Sequence, residues 1–278
     1  MKNQKQSQKN ASSHTYAHTA RSDQSCTDRE GTKNDYARIV SWWQGLSRTK
    51  KLYELNDFAE EFCYHSAKVE RSDLCYAEAL EVYNHDTVTS YTGDIRSLIS
   101  VLNQRAALWW MIEKIIAHAP LDEELILTLH RALVYHTLSN HQLMDGERPG
   151  KYKVCDYFVR ETREVGAAAN ECPKLTRALL SEVQEALGDL DLEKALTVAA
   201  YLHVQLVVIH PFSEGTGRVA RDLANYVLLA SGYPPAIVYE DDKDSYFKAL
   251  EIFDETGDLN PFKDFLRSCI CRTWESRI

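Results

Sequence analysis

Apolar residues recur through most of the chain at intervals of three and four, which places them on one face of a helix. The spacing starts at Tyr36 with Ile39 and Trp43, and it returns between Val101 and Ile116. Bulky rings such as Trp43 fall on these faces, so we expect the tryptophans to pack between helices rather than to line a ligand site. The pattern predicts an all-α fold.

Two stretches break the helical pattern. Residues 1–36 are rich in Ser, Thr, Asn, Gln and Lys, and so polar a segment buries too little surface to offset its ordering entropy. We expect a disordered tail there, with a targeting or translocation arm as the alternative. Residues 152–159 alternate polar and β-favouring side chains before a charged stretch at 160–163, which predicts a small β-hairpin.

Composition narrows the function classes. The formal net charge of −9 argues against binding to a nucleic-acid backbone. The seven cysteines include no Cys-x-x-Cys pair, so we expect reduced thiols and a cytoplasmic location. The apolar stretch Ala195–Ile209 contains Thr197, His203 and Gln205. These polar residues predict a buried core helix and no membrane partner.

A glycine turn between two predicted helices is the first sign of a functional site. An apolar run, Leu192 to Ile209, leads into the turn, and a second helical pattern, Val219 to Leu229, leads out of it. Gly215 and Gly217 lie at the start of the second helix. Unpaired backbone N–H groups and the positive end of the helix dipole meet at such a start, so the turn predicts an anion site.

The residues around the turn supply the chemistry of a nucleotide site. Arg218 and Arg221 are one helical turn apart, and both guanidinium groups suit phosphate oxygens. Glu214 offers a hard oxygen ligand for Mg²⁺. His210 comes just before the turn and titrates near neutrality, as a general base must. Together they predict bound phosphates with a base beside them.

This segment resembles the signature of Fic (fido) domain proteins, His-x-Phe-x-(Asp/Glu)-Gly-Asn-Gly-Arg-x-x-Arg. The chain reads His210-Pro211-Phe212-Ser213-Glu214-Gly215-Thr216-Gly217-Arg218, followed by Arg221. One position departs, since Thr216 stands where the family has asparagine. The resemblance spans roughly residues 38–272 and includes Leu129-His130, Pro149-Gly150-Lys151-Tyr152 and Gly232-Tyr233-Pro234-Pro235.

The resemblance implies a Fic-type helical core with a β-hairpin flap. We expect an N-terminal helical segment at 37–119, the core at 120–235 and a C-terminal helical extension at 236–278. The implied activity is transfer of AMP from ATP to a Ser, Thr or Tyr hydroxyl of a protein target or of the chain itself. Homodimerisation is left open.

The resemblance also assigns roles to residues. His210 would be the base, and Glu214 would hold Mg²⁺. The implied nucleotide-binding residues are Gly215, Thr216, Gly217, Arg218, Arg221, Val159, Arg160, Glu161, Thr162, Tyr246 and Asp254. We expect Thr216, which is shorter and stiffer than asparagine, to lower the activity without abolishing it.

An upstream motif resembles the inhibitory segment of Fic proteins, (Ser/Thr)-x-x-x-Glu-(Gly/Asn). Ser66 and Glu70 match it, whereas Arg71 replaces the Gly or Asn. The resemblance implies that Glu70 pairs with Arg221 and displaces the γ-phosphate of ATP. Read by itself, the same pattern is an ordinary helix cap.

Three alternatives stay open at this point. Thr216 and Arg71 are also consistent with a degenerate Fic module that binds nucleotide without transfer. A Fic enzyme could use another phosphate-containing donor or remove AMP. A metal-dependent hydrolase would use His203, His210 and Glu214, although the spacing provides no third neutral ligand for zinc.

Overall fold

The computed structural model of the chain describes residues 29–70, 72–159, 163–188 and 190–278. Within these residues there are eleven α-helices and one two-stranded sheet, so the helical prediction is confirmed. In chain order the helices are α1 (Arg29–Gly45), α2 (Arg48–Val69), α3 (Tyr76–His85), α4 (Ile95–Ile116), α5 (Glu123–Val134), α6 (Asn140–Met144), α7 (Cys172–Ala186), α8 (Leu192–Ile209), α9 (Thr216–Ala230), α10 (Lys243–Thr256) and α11 (Asn260–Trp274). The strands are β1 (Tyr157–Val159) and β2 (Arg163–Val165), and 3-10 turns lie at Glu240–Asp242 and Glu275–Arg277.

Helices α8 and α9 form the centre of the fold. Asp191 is the N-cap of helix α8, and its carboxylate accepts the Lys194 N–H at 2.9 Å. Helix α8 packs against α7, α9 and α11. Twelve of the 15 residues of α9 are buried, which fits its position inside the molecule. The segment between α8 and α9 is therefore anchored at both ends by buried helices.

Helix α8 is apolar enough to be compared with a membrane span. Among the described residues it is the one helix whose length and composition would allow it to cross a bilayer, with a mean hydropathy of 1.4. Half of this stretch is buried against the rest of the protein. We interpret it as the core helix that its polar interruptions predict.

Helix α1 begins inside the predicted disordered tail. It starts at Arg29 rather than after residue 36, so that boundary is wrong; residues 1–28 lie outside the described residues. Tyr36 and Trp43 are buried, and α1 packs on α11. A helix anchored at those positions extends backward through polar residues, because its hydrogen bonds need no apolar side chains.

Aromatic side chains join the two ends of the chain. The rings of Trp43 in α1 and Trp274 in α11 have centroids 5.1 Å apart. Phe58 in α2 stacks on Trp274 with centroids 5.9 Å apart and planes within 10°. The prediction that tryptophans pack between helices is confirmed for this pair, and the contact fixes α2 relative to the C-terminal extension.

The antiparallel strands β1 and β2 form a hairpin shorter than the predicted one. The sequence places a strand from Tyr152, but residues 152–156 are not strand. The Tyr152 hydroxyl donates to Glu123 at 2.9 Å, and the Lys153 N–H donates to the Pro211 carbonyl at 2.9 Å. These bonds hold residues 152–156 against α5 and the α8–α9 segment, so strand pairing starts only at Tyr157.

Candidate active site

The segment between α8 and α9 twice adopts a left-handed backbone conformation. His210 ends α8 with φ 48°, and its N–H donates to the Leu206 carbonyl at 3.0 Å. Gly215 precedes α9 with φ 85°. A Cβ on Gly215 would lie 2.6 Å from Cγ1 of Val134, so only glycine fits. Positive φ is uncommon for a residue such as His210 and persists where the surroundings enforce it.

The imidazole of His210 is suited to accept a proton. Burial lowers its pKa below the ordinary value, and the charge of Lys153 lowers the pKa further, whereas Glu70 opposes both effects. The buried Nδ1 of His210 has no hydrogen-bond partner among the described residues. A neutral ring has one unprotonated nitrogen, which is what a general base requires.

The first turn of α9 leaves backbone N–H groups available to an anion. Thr216 and Gly217 occupy this turn, where no intrahelical acceptor exists. A Cβ on Gly217 would lie 2.4 Å from Oε1 of Glu70, so the glycine lets the Glu70 carboxylate approach this turn. The buried Thr216 hydroxyl donates to the Phe212 carbonyl at 3.2 Å. The side chain of Thr216 therefore closes the loop, which leaves its backbone N–H as the group available to an anion.

Arg218 is buried and held by two acceptors. Its Nη1 donates to the Leu133 carbonyl at 3.0 Å, and its Nη2 donates to Oε1 of Glu214 at 3.0 Å. Leu133 lies in the last turn of α5, where carbonyl groups lack helical partners and favour a cation. The Glu214 side chain is 38 % exposed. The Glu214 carboxylate is thus oriented by Arg218, and it is accessible from a polar cavity that Glu214 and Arg218 both line.

Arg221 binds both residues of the upstream motif. Its Nη2 donates to Oε1 of Glu70 at 2.9 Å and to the Ser66 carbonyl at 3.0 Å, and its Nε donates to the Ser66 hydroxyl at 3.1 Å. The Arg221 side chain is 2 % exposed and that of Glu70 is 32 % exposed. Burial raises the pKa of Glu70, but the guanidinium groups of Arg221 and Arg218 outweigh it, and the pKa is lowered. The pair is charged at neutral pH.

A buried polar chain continues behind this pair. The Ser66 hydroxyl donates to Oε1 of Gln104 at 3.2 Å, and Nε2 of Gln104 donates to Asp222 at 2.8 Å. Burial raises the pKa of Asp222 to about 7. Sequence analysis missed Gln104 and Asp222. The one sequence feature that could have revealed them is that each is a polar residue at a helix position where the surrounding pattern is apolar.

The remaining predicted nucleotide residues differ in how the structure places them. Arg160, Glu161 and Thr162 lie outside the described residues, as do Arg71 and the side chain of Val159 at the end of β1. Tyr246 is buried, and its hydroxyl lies 3.3 Å from Nε2 of His203. Burial raises the pKa of Tyr246 to about 12, and the charge of Arg221 opposes this increase. Asp254 is exposed on α10, roughly 12 Å along the helix axis from Tyr246.

The described residues contain no group of three or more His, Cys, Asp and Glu side chains that could hold a metal ion. His203 packs against Phe262 with ring centroids 4.5 Å apart and faces Tyr246 instead of Glu214. This arrangement contradicts the zinc hydrolase alternative, which needs three protein ligands. A single carboxylate, Glu214, can still contribute to a Mg²⁺ site completed by phosphate oxygens and water.

Comparison with known proteins identifies this helical unit. Residues 120–228 match the model of the Fic/DOC family. They form a Fic/DOC family domain. This Fic/DOC domain spans α5 to α9 and contains His210, Glu214, Arg218 and Arg221, whereas Ser66 and Glu70 lie upstream of it.

Curated relatives of the Fic/DOC domain are named protein adenylyltransferase Fic. The one from Nematostella vectensis is 34 % identical over 152 residues, covering 53 % of this chain and 32 % of that protein. The one from Drosophila persimilis is 27 % identical over 213 residues, covering 76 % of this chain and 39 % of that protein. The chain therefore spans about a third to two fifths of the length of these relatives.

A solved structure shares the fold beyond the Fic/DOC domain. It is a Fic domain containing signaling protein from Bacteroides thetaiotaomicron, with a TM-score of 0.74 and 24 % identity. The match covers 88 % of this chain and 94 % of that one. The shared architecture therefore includes helices on both sides of the domain.

Proposed function

We propose that the protein is an adenylyltransferase that moves AMP from ATP to a Ser, Thr or Tyr hydroxyl of a protein. The observation that carries the proposal is one short loop, which joins the neutral imidazole of His210 to the anion-binding helix start at Gly215–Gly217. The naming of the curated relatives as protein adenylyltransferases supports the same reaction.

In the proposed step the target oxygen attacks the α-phosphorus of ATP. A new bond forms between that oxygen and phosphorus, the α–β phosphoanhydride bond breaks, and pyrophosphate leaves. His210 takes the hydroxyl proton, which activates the nucleophile. The Gly217 amide would donate a hydrogen bond to the phosphate oxygens, and Arg218 would offset the charge that gathers on them. Such positioning and charge stabilisation dominate catalysis of phosphoryl-type transfer.

Glu214 is the residue that would hold Mg²⁺. Its carboxylate is the hard oxygen donor that this ion prefers, and it is partly exposed beside buried Arg218. When bound, the ion would offset phosphate charge. Since Glu214 already pairs with Arg218, binding requires the carboxylate to share its oxygens between the guanidinium and the ion.

We further propose that Glu70 keeps the resting protein weakly active. The γ-phosphate of ATP and the Glu70 carboxylate compete for Arg221, whose side chain is almost fully buried and cannot serve both well. The bonds from Arg221 to Ser66 support the same conclusion, because they hold the end of α2 over the first turn of α9.

The β1–β2 hairpin is the proposed docking place for the target. An extended target segment could add to a strand edge through main-chain hydrogen bonds, which makes few sequence demands. Self-modification fits the same proposal. A homodimer and a cytoplasmic location stay predictions.

The position of an isotopic label in ATP distinguishes AMP transfer from the alternative reactions. The Glu70→Gly variant is incubated with Mg²⁺ and ATP labelled on either the α- or the γ-phosphate, and protein-bound label is measured. AMP transfer predicts label from the α position alone. Label from the γ position indicates phosphate transfer instead. Mg²⁺-dependent ATP binding with no label at all indicates the degenerate module.

A further inference from the structure

His130 connects three parts of the candidate site. It lies in α5, is 2 % exposed, and belongs to none of the roles assigned above. Its Nδ1 lies 3.1 Å from the Gly150 nitrogen, and its Nε2 lies 3.1 Å from the Glu214 carbonyl oxygen. Its ring stacks on Phe212 with centroids 3.8 Å apart and planes within 10°.

These two bonds fix the tautomer of the ring. A backbone N–H can only donate, so Nδ1 of His130 must accept from Gly150 and carries no proton. In a neutral ring the proton is then on Nε2, which donates to the Glu214 carbonyl. The neutral ring can accept the bond from Gly150 and donate the bond to Glu214 at the same time, so the imidazole acts as a rigid spacer between these two residues.

The backbone on both sides approaches α5 too closely for a side chain. A Cβ on Gly150, at φ 75°, would lie 2.9 Å from the Leu127 carbonyl oxygen. A Cβ on Gly215 would lie 2.6 Å from Cγ1 of Val134. Two glycines thus let both segments close on the helix face that carries His130.

We propose that His130 is the positioning residue that sets the backbone of Glu214, and with it the carboxylate that would hold Mg²⁺, relative to the lead into the hairpin. The inference rests on the proposed function for its substrate, ATP with Mg²⁺. Because His130 is almost fully buried and both of its ring nitrogens are bonded within the protein, it acts through Glu214 and Gly150. Loss of such a partner behind a metal ligand typically lowers metal affinity roughly 10- to 100-fold.

Two substitutions separate the two bonds. The amide oxygen of Asn occupies the place of Nδ1, so His130→Asn retains an acceptor for Gly150 and loses the donor to Glu214. The amide nitrogen of Gln reaches the place of Nε2, so His130→Gln retains the donor to Glu214. Both are made in the Glu70→Gly background, with Ile126→Val, a buried change in the same helix, as the control for lost packing.

The readout is equilibrium binding of a fluorescent ATP analogue as Mg²⁺ is titrated, together with amide hydrogen exchange of residues 212–217. We expect His130→Asn to need roughly tenfold more Mg²⁺ for the same binding and to exchange faster in the loop. His130→Gln should stay within about twofold of its parent, because it retains the bond to Glu214. Ile126→Val should not change the Mg²⁺ requirement.

Several results would overturn the role of His130. These are equal Mg²⁺ requirements in the Asn and Gln variants, a shifted requirement in Ile126→Val, or nucleotide binding by the parent that ignores Mg²⁺. If His130→Asn does not fold, the Gln variant decides: a raised Mg²⁺ requirement overturns the role, and an unchanged one with faster exchange at Gly150 supports it. A parent that binds Mg²⁺ and nucleotide without transferring label overturns the proposed activity and leaves this test intact.

Discussion

Removal of the Glu70 carboxylate should activate the protein. Glu70 is the C-cap of α2, and its backbone N–H donates to the Ala67 carbonyl, a bond that glycine retains, so Glu70→Gly removes the charge and keeps this main-chain cap. The change frees Arg221, which otherwise donates to Glu70 at 2.9 Å. The bonds from Arg221 to Ser66 remain, and the guanidinium stays oriented for a phosphate.

The size of the effect follows from the exposure of the pair. A hydrogen bond to a charged group contributes about 1.5–3 kcal/mol. Because the Glu70 side chain is 32 % exposed, water screens the pair, and we take about 1–2 kcal/mol as the net contribution. A difference of that size changes a population by about 5- to 30-fold. We expect the initial rate of labelling from α-labelled ATP to rise by that factor at matched ATP and Mg²⁺.

A matched ion pair outside the site provides the control. Glu193 pairs with Arg267 at 3.0 Å, and their side chains are 56 % and 5 % exposed. Glu193→Ala removes a comparable carboxylate from a comparably buried arginine and should leave labelling unchanged. The reasoning is refuted if folded Glu70→Gly labels no faster than the parent protein, because the end of α2 is then only a helix terminus.

Two further predictions concern the loop itself. The labelling rate should fall as the pH drops through a value below 6.5 and stay level at higher pH, because the pKa of His210 is lowered and only the neutral ring accepts a proton. A pH–rate profile of Glu70→Gly checks this prediction, and a midpoint above 6.5 would contradict it. Thr216→Val keeps the shape of the side chain but removes its hydrogen bond to the Phe212 carbonyl. The variant should lose about 1 kcal/mol of stability in thermal unfolding, and a binding titration should show weaker Mg²⁺-dependent ATP binding. Unchanged binding would mean that this bond does not shape the loop.

The helical fold and the reactive loop could be read from local sequence patterns. Apolar spacing predicts helices, and the glycine turn before α9 predicts the anion site, because both depend on neighbours within a few residues. Ser66 and Glu70 are also predicted as a pair from their resemblance to a family motif. The resemblance also implies the pairing of Glu70 with Arg221, whereas the hydrogen bonds from Arg221 to Ser66, 155 positions away along the chain, could come only from the structure.

What the sequence misses depends on tertiary packing. Gln104 and Asp222 are 118 positions apart, and His130 and Glu214 are 84 apart, so no local pattern relates them. The start of the hairpin was misplaced because Tyr152 has a strand-favouring side chain but bonds to Glu123 instead. In the hairpin, a side-chain partner from a distant helix overrode the local strand preference of Tyr152.

The central claim is that this loop transfers AMP with His210 as the base. The most direct measurement compares protein-bound label from α-labelled ATP in Glu70→Gly and in Glu70→Gly combined with His210→Ala, alongside the affinity of each for ATP and Mg²⁺. The proposal predicts loss of label in the double variant with nearly unchanged nucleotide affinity, because the imidazole acts on the incoming hydroxyl. Equal labelling of the two variants would contradict it.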